Sequence, residues 1–65
     1  MPYVNIKVTD EGVTVEPKKR LINGASQLLQ EVLNKDPSTT YVVIDEIDLD
    51  NWGVGHESVS EMRRK

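Results

Sequence analysis

The chain has no cysteine and no phenylalanine, and only one histidine, one tryptophan and two tyrosines. Without cysteine, neither a disulfide nor a thiolate-bound metal can staple the fold. A lone histidine with no thiolate beside it also argues against a transition-metal site. Basic residues are outnumbered, eight against eleven acids, for a net charge of −3. That balance leaves no basic face of the kind nucleic acid requires. The basic clusters, Lys18-Lys19-Arg20 and Arg63-Arg64-Lys65, are short and read as solvated helix surface and tail. No apolar run approaches the length of a membrane span. The N-terminus lacks the basic stretch and apolar core of a signal peptide. The expected compartment is therefore the cytoplasm, with neither nucleic acid nor a membrane as partner.

What is present is a short chain of globular composition. Its 65 residues read as one domain, 1–65, and 37% of them are hydrophobic, too many for a disordered segment. A domain this small buries a limited share of its surface and is marginal alone. The remaining remedies are very efficient packing or oligomerisation, and oligomerisation is favoured.

From Tyr3 to Thr9 the sequence alternates strictly, with Val4, Ile6 and Val8 on one face and Tyr3, Asn5 and Lys7 on the other. That period of two predicts a half-buried strand. Asp10-Glu11-Gly12 breaks it. Thr14 is placed to N-cap a helix, with Glu16 in the first turn, where Pro17 is tolerated. Leu21, Ile22, Ala25, Leu28, Leu29, Val32 and Leu33 then fall at spacings of three and four, one apolar stripe of an amphipathic helix. Asn34 to Pro37 ends it, because Pro37 pushes Asp36 out of helical geometry. Tyr41 to Ile47 is a second strand, whose near-continuous apolar start predicts burial on both faces. Asn51 to Gly55 reads as a glycine-punctuated turn or short hairpin. From Glu57 onward the residues are polar, expected to lie over another subunit or to fray.

Strand, helix and strand make one βαβ unit with parallel strands and a right-handed crossover, an α+β fold. One such unit gives a two-stranded sheet with a helix on one face. The other face and both edges need partners. The acidic residues Asp45, Glu46, Asp48 and Asp50 resemble a calcium loop only superficially, because the twelfth position from Asp48 is Val59 rather than a bidentate glutamate. They are expected to be solvated, or to pair with bases across an interface.

The residue best suited to chemistry is Pro2. Once Met1 is removed, its secondary amine is a base; while Met1 remains, the same nitrogen is an amide. A free α-amino group titrates near pH 8, and desolvation lowers that value. Such a group can carry a proton between the two ends of a keto–enol pair. Taken alone, Pro2 is merely a common second residue. Trp52 suits an apolar pocket wall, or equally a core or interface position. Tyr41 can donate a hydrogen bond to a developing enolate, although a strand tyrosine at a subunit contact is the plainer reading. Asn51 precedes a turn and is read as structural; His56 is read as a surface residue.

Several of these pieces fall in one order: the Met-Pro start running into a strand, the glycine-containing loop, the Thr-capped helix with Lys18-x-x-Leu21-Ile22, the valine-rich strand reaching Glu46, and Asn51-Trp52-Gly53-Val54-Gly55. Together they resemble the 4-oxalocrotonate tautomerase family over nearly the whole chain. The resemblance implies a β-α-β protomer with a short C-terminal hairpin. Two protomers would share a four-stranded sheet, and three such dimers would form a homohexamer. It also implies an isomerase that needs no cofactor or metal and acts on a small molecule. Pro2 would be the catalytic base and acid, with Trp52 (usually phenylalanine in the family) and Tyr41 at the substrate.

The chain departs from that pattern where substrate is held. The best-known members bind dicarboxylates through two arginines, one in the loop after the first strand and one opening the second strand. Here the loop reads Asp10-Glu11-Gly12-Val13-Thr14, one residue longer, and the strand opens Thr40-Tyr41-Val42. Both bidentate clamps are missing. Val54 stands where haloacrylate-dehalogenating relatives place a water-activating glutamate. The expected substrate is therefore a small enol or 2-oxo acid rather than a muconate-type dicarboxylate. Lys7, Arg20 and the C-terminal tail are the candidate replacement cations. A Pro2-dependent hydratase or lyase, and a non-catalytic ligand-binding relative, are the competing readings.

Overall fold

A computed structural model describes residues 1–64; Lys65, which closes the second basic cluster, lies outside the described residues. The two predicted segments form strands β1 (Tyr3–Thr9) and β2 (Tyr41–Ile47), at the expected bounds. They pair in parallel, from Tyr3 opposite Tyr41 to Thr9 opposite Ile47. The ladder runs one rung past each end. The Tyr41 N–H donates to the Pro2 carbonyl at 2.9 Å, and the Asp10 N–H to the Ile47 carbonyl at 2.7 Å.

Helix α1 (Val15–Leu33) crosses between them. Thr14 is its N-cap residue in backbone terms, but the threonine side chain makes no capping hydrogen bond. The helix stops at Asn34, which takes the left-handed conformation at φ 54° and returns its N–H to the Gln30 carbonyl at 3.0 Å. The Asp36 carboxylate then accepts the Ser38 N–H at 2.9 Å and opens a 3-10 turn, Pro37–Thr39, leading into β2.

An ion pair between Lys18 of α1 and Glu46 of β2 fixes which sheet face meets the helix. Strand residues alternate, so Val4, Ile6, Val8, Val42 and Ile44 share that face, and all are half-buried. The opposite face carries Tyr3, Asn5, Lys7, Thr9, Tyr41, Val43, Asp45 and Ile47. It is open: Tyr3 is 63%, Tyr41 55% and Val43 40% exposed. Burial of β2 on both faces is therefore not achieved within one protomer.

The C-terminal arm holds a hairpin, β3 (Gly53–Val54) antiparallel to β4 (Glu57–Ser58), turning at Gly55 with φ 63°. It lies further along than the expected Asn51–Gly55, because Asn51 closes a 3-10 turn and Glu57–Ser58 supply the second strand. The polar residues after it do not fray as a bare tail. They form a short helix, α2 (Val59–Arg63). Ser58 accepts the Glu61 N–H at 3.2 Å, with Glu61 itself in the first turn and Arg63 in the last. The acidic residues also find partners inside the chain. Asp45 binds Lys7, Glu46 binds Lys18, the Asp48 carboxylate accepts the Asp50 N–H at 3.0 Å, and Asp50 accepts the Ser60 hydroxyl.

None of the described residues is fully buried. The protomer measures 46 × 24 × 14 Å with a radius of gyration of 15.1 Å. A compact chain of this length has a radius near 11 Å, so the protomer is elongated. Among the described residues, no helix is long and apolar enough to cross a membrane.

Candidate active site

Pro2 stands at the N-terminal end of β1, half-buried, with its carbonyl held by the Tyr41 N–H. The chain is thus anchored immediately after the nitrogen of interest, while Met1 is 81% exposed. An exposed Met1 is accessible to removal, and the anchor on Pro2 does not involve it. Parallel pairing brings Tyr41 to the same end of the sheet and sets it beside Tyr3 as a cross-strand neighbour. Both rings rise on the helix-free face.

Trp52 lies at the other end. It follows Ile47, the last residue of β2, through a 3-10 turn at Leu49–Asn51. Six strand steps of roughly 3.3 Å separate the two ends, about 20 Å. Within one protomer the structure brings Pro2 and Tyr41 together and leaves Trp52 apart. Trp52 is half-buried, its carbonyl accepting the Val59 N–H at 2.8 Å, so α2 steadies it. Surface depressions lined by Pro17, Arg20 and Leu21, and by Gln30, Asn34, Lys35, Asp36 and Pro37, contain none of the three residues.

The open face carries polar contacts that reading the sequence did not assign. Asp45 accepts from the Lys7 ammonium at 2.9 Å and from the Asn5 amide at 2.9 Å. The Lys7 bond, and then the Asn5 bond, hold the Asp45 carboxyl below the usual range. Lys7 is therefore engaged rather than free for substrate. At the far end of the same face, Glu11 accepts from the Arg63 guanidinium and from the Thr9 hydroxyl. Those two bonds, Arg63 first, lower its carboxyl as well. Asn5, Lys7 and Asp45 share a face by strand alternation, but choosing them as partners needed the β1–β2 register. Arg63 lies 52 residues from Glu11 and gave no local signal. Among the described residues, no group of three histidine, cysteine, aspartate or glutamate side chains is placed to hold a metal ion.

Comparison with known proteins agrees with this architecture. The family model described as tautomerase enzyme matches residues 2–62. A probable tautomerase K2 of Dickeya dadantii (strain 3937) is 57% identical over 65 residues, spanning 100% of this chain and 97% of that protein. A 2-hydroxymuconate tautomerase of Pseudomonas putida is 34% identical over 64 residues, spanning 98% of this chain and 100% of its own. The crystal structure of DmpI from Helicobacter pylori superposes with a TM-score of 0.89 at 47% identity, over 98% of each chain. This chain, a parallel β-α-β unit with Pro2 immediately before its first strand and matched over nearly its full length by these proteins, belongs to the 4-oxalocrotonate tautomerase family of the tautomerase superfamily.

Proposed function

We propose that this tautomerase-type enzyme interconverts the keto and enol forms of a small enol or 2-oxo acid in the cytoplasm, without cofactor. Pro2, freed by removal of Met1, is its general base and acid. The amine takes the enol hydroxyl proton; the O–H electron pair becomes the carbonyl π bond. The C=C pair then takes a proton back from the prolinium, which regenerates the amine. Tyr41, beside Pro2 in the ladder, donates to the oxygen while it carries charge. Trp52 forms the apolar wall that disfavours the charged prolinium and packs the substrate.

The observation that carries this reading is the anchoring of Pro2. Its carbonyl is tied into the sheet at 2.9 Å, so its ring and nitrogen sit at a fixed sheet end rather than on a loose terminus. The 20 Å gap supports a second element of the reading. The Trp52 of one protomer serves the Pro2 of another, in dimers with a four-stranded sheet and a hexamer of three dimers. The whole of residues 1–65 then acts as one unit whose site is incomplete in a lone protomer.

The test is ketonisation of phenylenolpyruvate by the processed enzyme and by Pro2→Ala. General acid–base catalysis contributes about 10²- to 10⁴-fold, and the variant is expected to lose kcat on that order. Undiminished turnover in the variant, or Met1 retained on the native chain, refutes the assignment.

A further inference from the structure

The C-terminal arm carries Trp52 beyond the end of β2. Its hairpin and α2 pack on each other and on the 3-10 turn that precedes them. The chain as a whole is elongated, 46 × 24 × 14 Å. An aromatic wall on such an arm is useful only if the arm has one orientation.

Three contacts supply that orientation. The Arg63 guanidinium, on the last turn of α2, binds the Glu11 carboxylate in the loop between β1 and α1. Glu11 is itself held by the Thr9 hydroxyl at the end of β1. At the other end of α2, the Val59 N–H binds the Trp52 carbonyl at 2.8 Å. The result is a continuous path from the sheet, through Thr9, Glu11, Arg63 and α2, to the tryptophan backbone. The loop that presents Glu11 is pinned by the Asp10 N–H on the Ile47 carbonyl at 2.7 Å, and it reverses at Gly12, where φ is 80°.

We infer that the Glu11–Arg63 ion pair is a clasp that positions the Trp52-bearing arm, and through it the substrate wall. This rests on Trp52 serving the site as proposed above. Glu11 and Arg63 do not touch the substrate; they are positioning residues. Both side chains are about half exposed, 43% and 55%. The pair is therefore screened by salt, and its loss has a modest rather than catastrophic effect.

Trp52 is the only tryptophan in the chain, so its fluorescence reports on the arm alone. The experiment is a double-mutant cycle with Glu11→Gln, Arg63→Met and the double variant; each substitution keeps side-chain size and removes one charge. Acrylamide quenching of Trp52 is measured in each, along with kcat and KM for phenylenolpyruvate. Each single variant is expected to quench more readily than the parent and to raise KM about two- to fivefold, the strength of one exposed ion pair, with kcat within about twofold. The double variant should match either single, because both changes remove the same contact. Unchanged quenching and KM in the single variants overturns the clasp, as do fully additive effects. Repeating the quenching series in a Pro2→Ala background keeps the two claims apart. Loss of the clasp signature there contradicts this inference alone, whereas retained turnover in Pro2→Ala contradicts the role of the proline alone.

Discussion

Among the described residues, Asp45, Glu11 and Asp36 are carboxyls whose surroundings favour the ionised form. A Lys7 hydrogen bond leads at the first, an Arg63 hydrogen bond at the second, and the Ser38 backbone N–H at the third. A carboxyl depressed in the folded state adds stability that is complete above its ordinary value near 4 and is lost as pH falls through its folded value. The protein should therefore weaken progressively below about pH 4, and Asp45→Asn should flatten part of that slope while leaving neutral-pH folding cooperative. Thermal melts of both proteins between pH 2.5 and 6 check this; parallel slopes would remove Asp45 from the account. At this scale the sequence was informative about identity and poor on partnership. Residue type together with order along the chain singled out Pro2, Tyr41 and Trp52 as candidates. That Lys7 is occupied by Asp45, and that Arg63 reaches Glu11, depends on a strand register and a chain reversal that no local pattern encodes.

The elements themselves were legible because their signals are local. Strict alternation marked β1, a near-continuous apolar start marked β2, and the Asn34–Pro37 stop marked the end of α1. The left-handed Asn34 makes a sharp test. Asn34→Gly should leave the melting temperature equal or higher, while Asn34→Ala should cost up to about 1 kcal/mol, because alanine keeps the Cβ that disfavours that conformation and loses the short polar side chain that lets asparagine adopt it. Equal melting temperatures for the two variants would show that the cap contributes nothing. The α2 helix was missed for a physical reason: five residues with few apolar positions give no periodicity. Its signal was the spacing Ser58-x-x-Glu61, a helix-start pattern independent of hydrophobicity. The structure uses one half of it, the serine on the Glu61 N–H at 3.2 Å. The threonine at the start of α1 shows the converse. Thr14 marks the boundary without its hydroxyl closing the cap.

At the level of the whole molecule, the protomer buries none of its described residues and leaves Leu28 58%, Val32 69% and Leu33 56% exposed on α1. Leu21, Leu28 and Val32 share one flank of the helix, beside the face that meets the sheet. An elongated chain with such a flank, an open sheet face and two strand edges is expected to be folded only as an assembly. Its stability should rise with protein concentration. Sedimentation should give a single species of six copies, and Leu28→Asp should both dissociate it and lower its melting temperature. A folded Leu28→Asp monomer with full activity would contradict the shared site. The need for partners was legible from length and the missing cysteines; the separation of Pro2 from Trp52 became visible only with the parallel register. The account stands or falls on the amine at the head of β1. Its most direct test is a ¹⁵N NMR titration of Pro2 in the processed, assembled enzyme, set beside the pH dependence of kcat/KM. The prediction is one titrating amine, below the ordinary α-amino value of about 8, with the same midpoint as the activity. A Pro2 nitrogen that does not titrate, or an activity profile that ignores its midpoint, would contradict it.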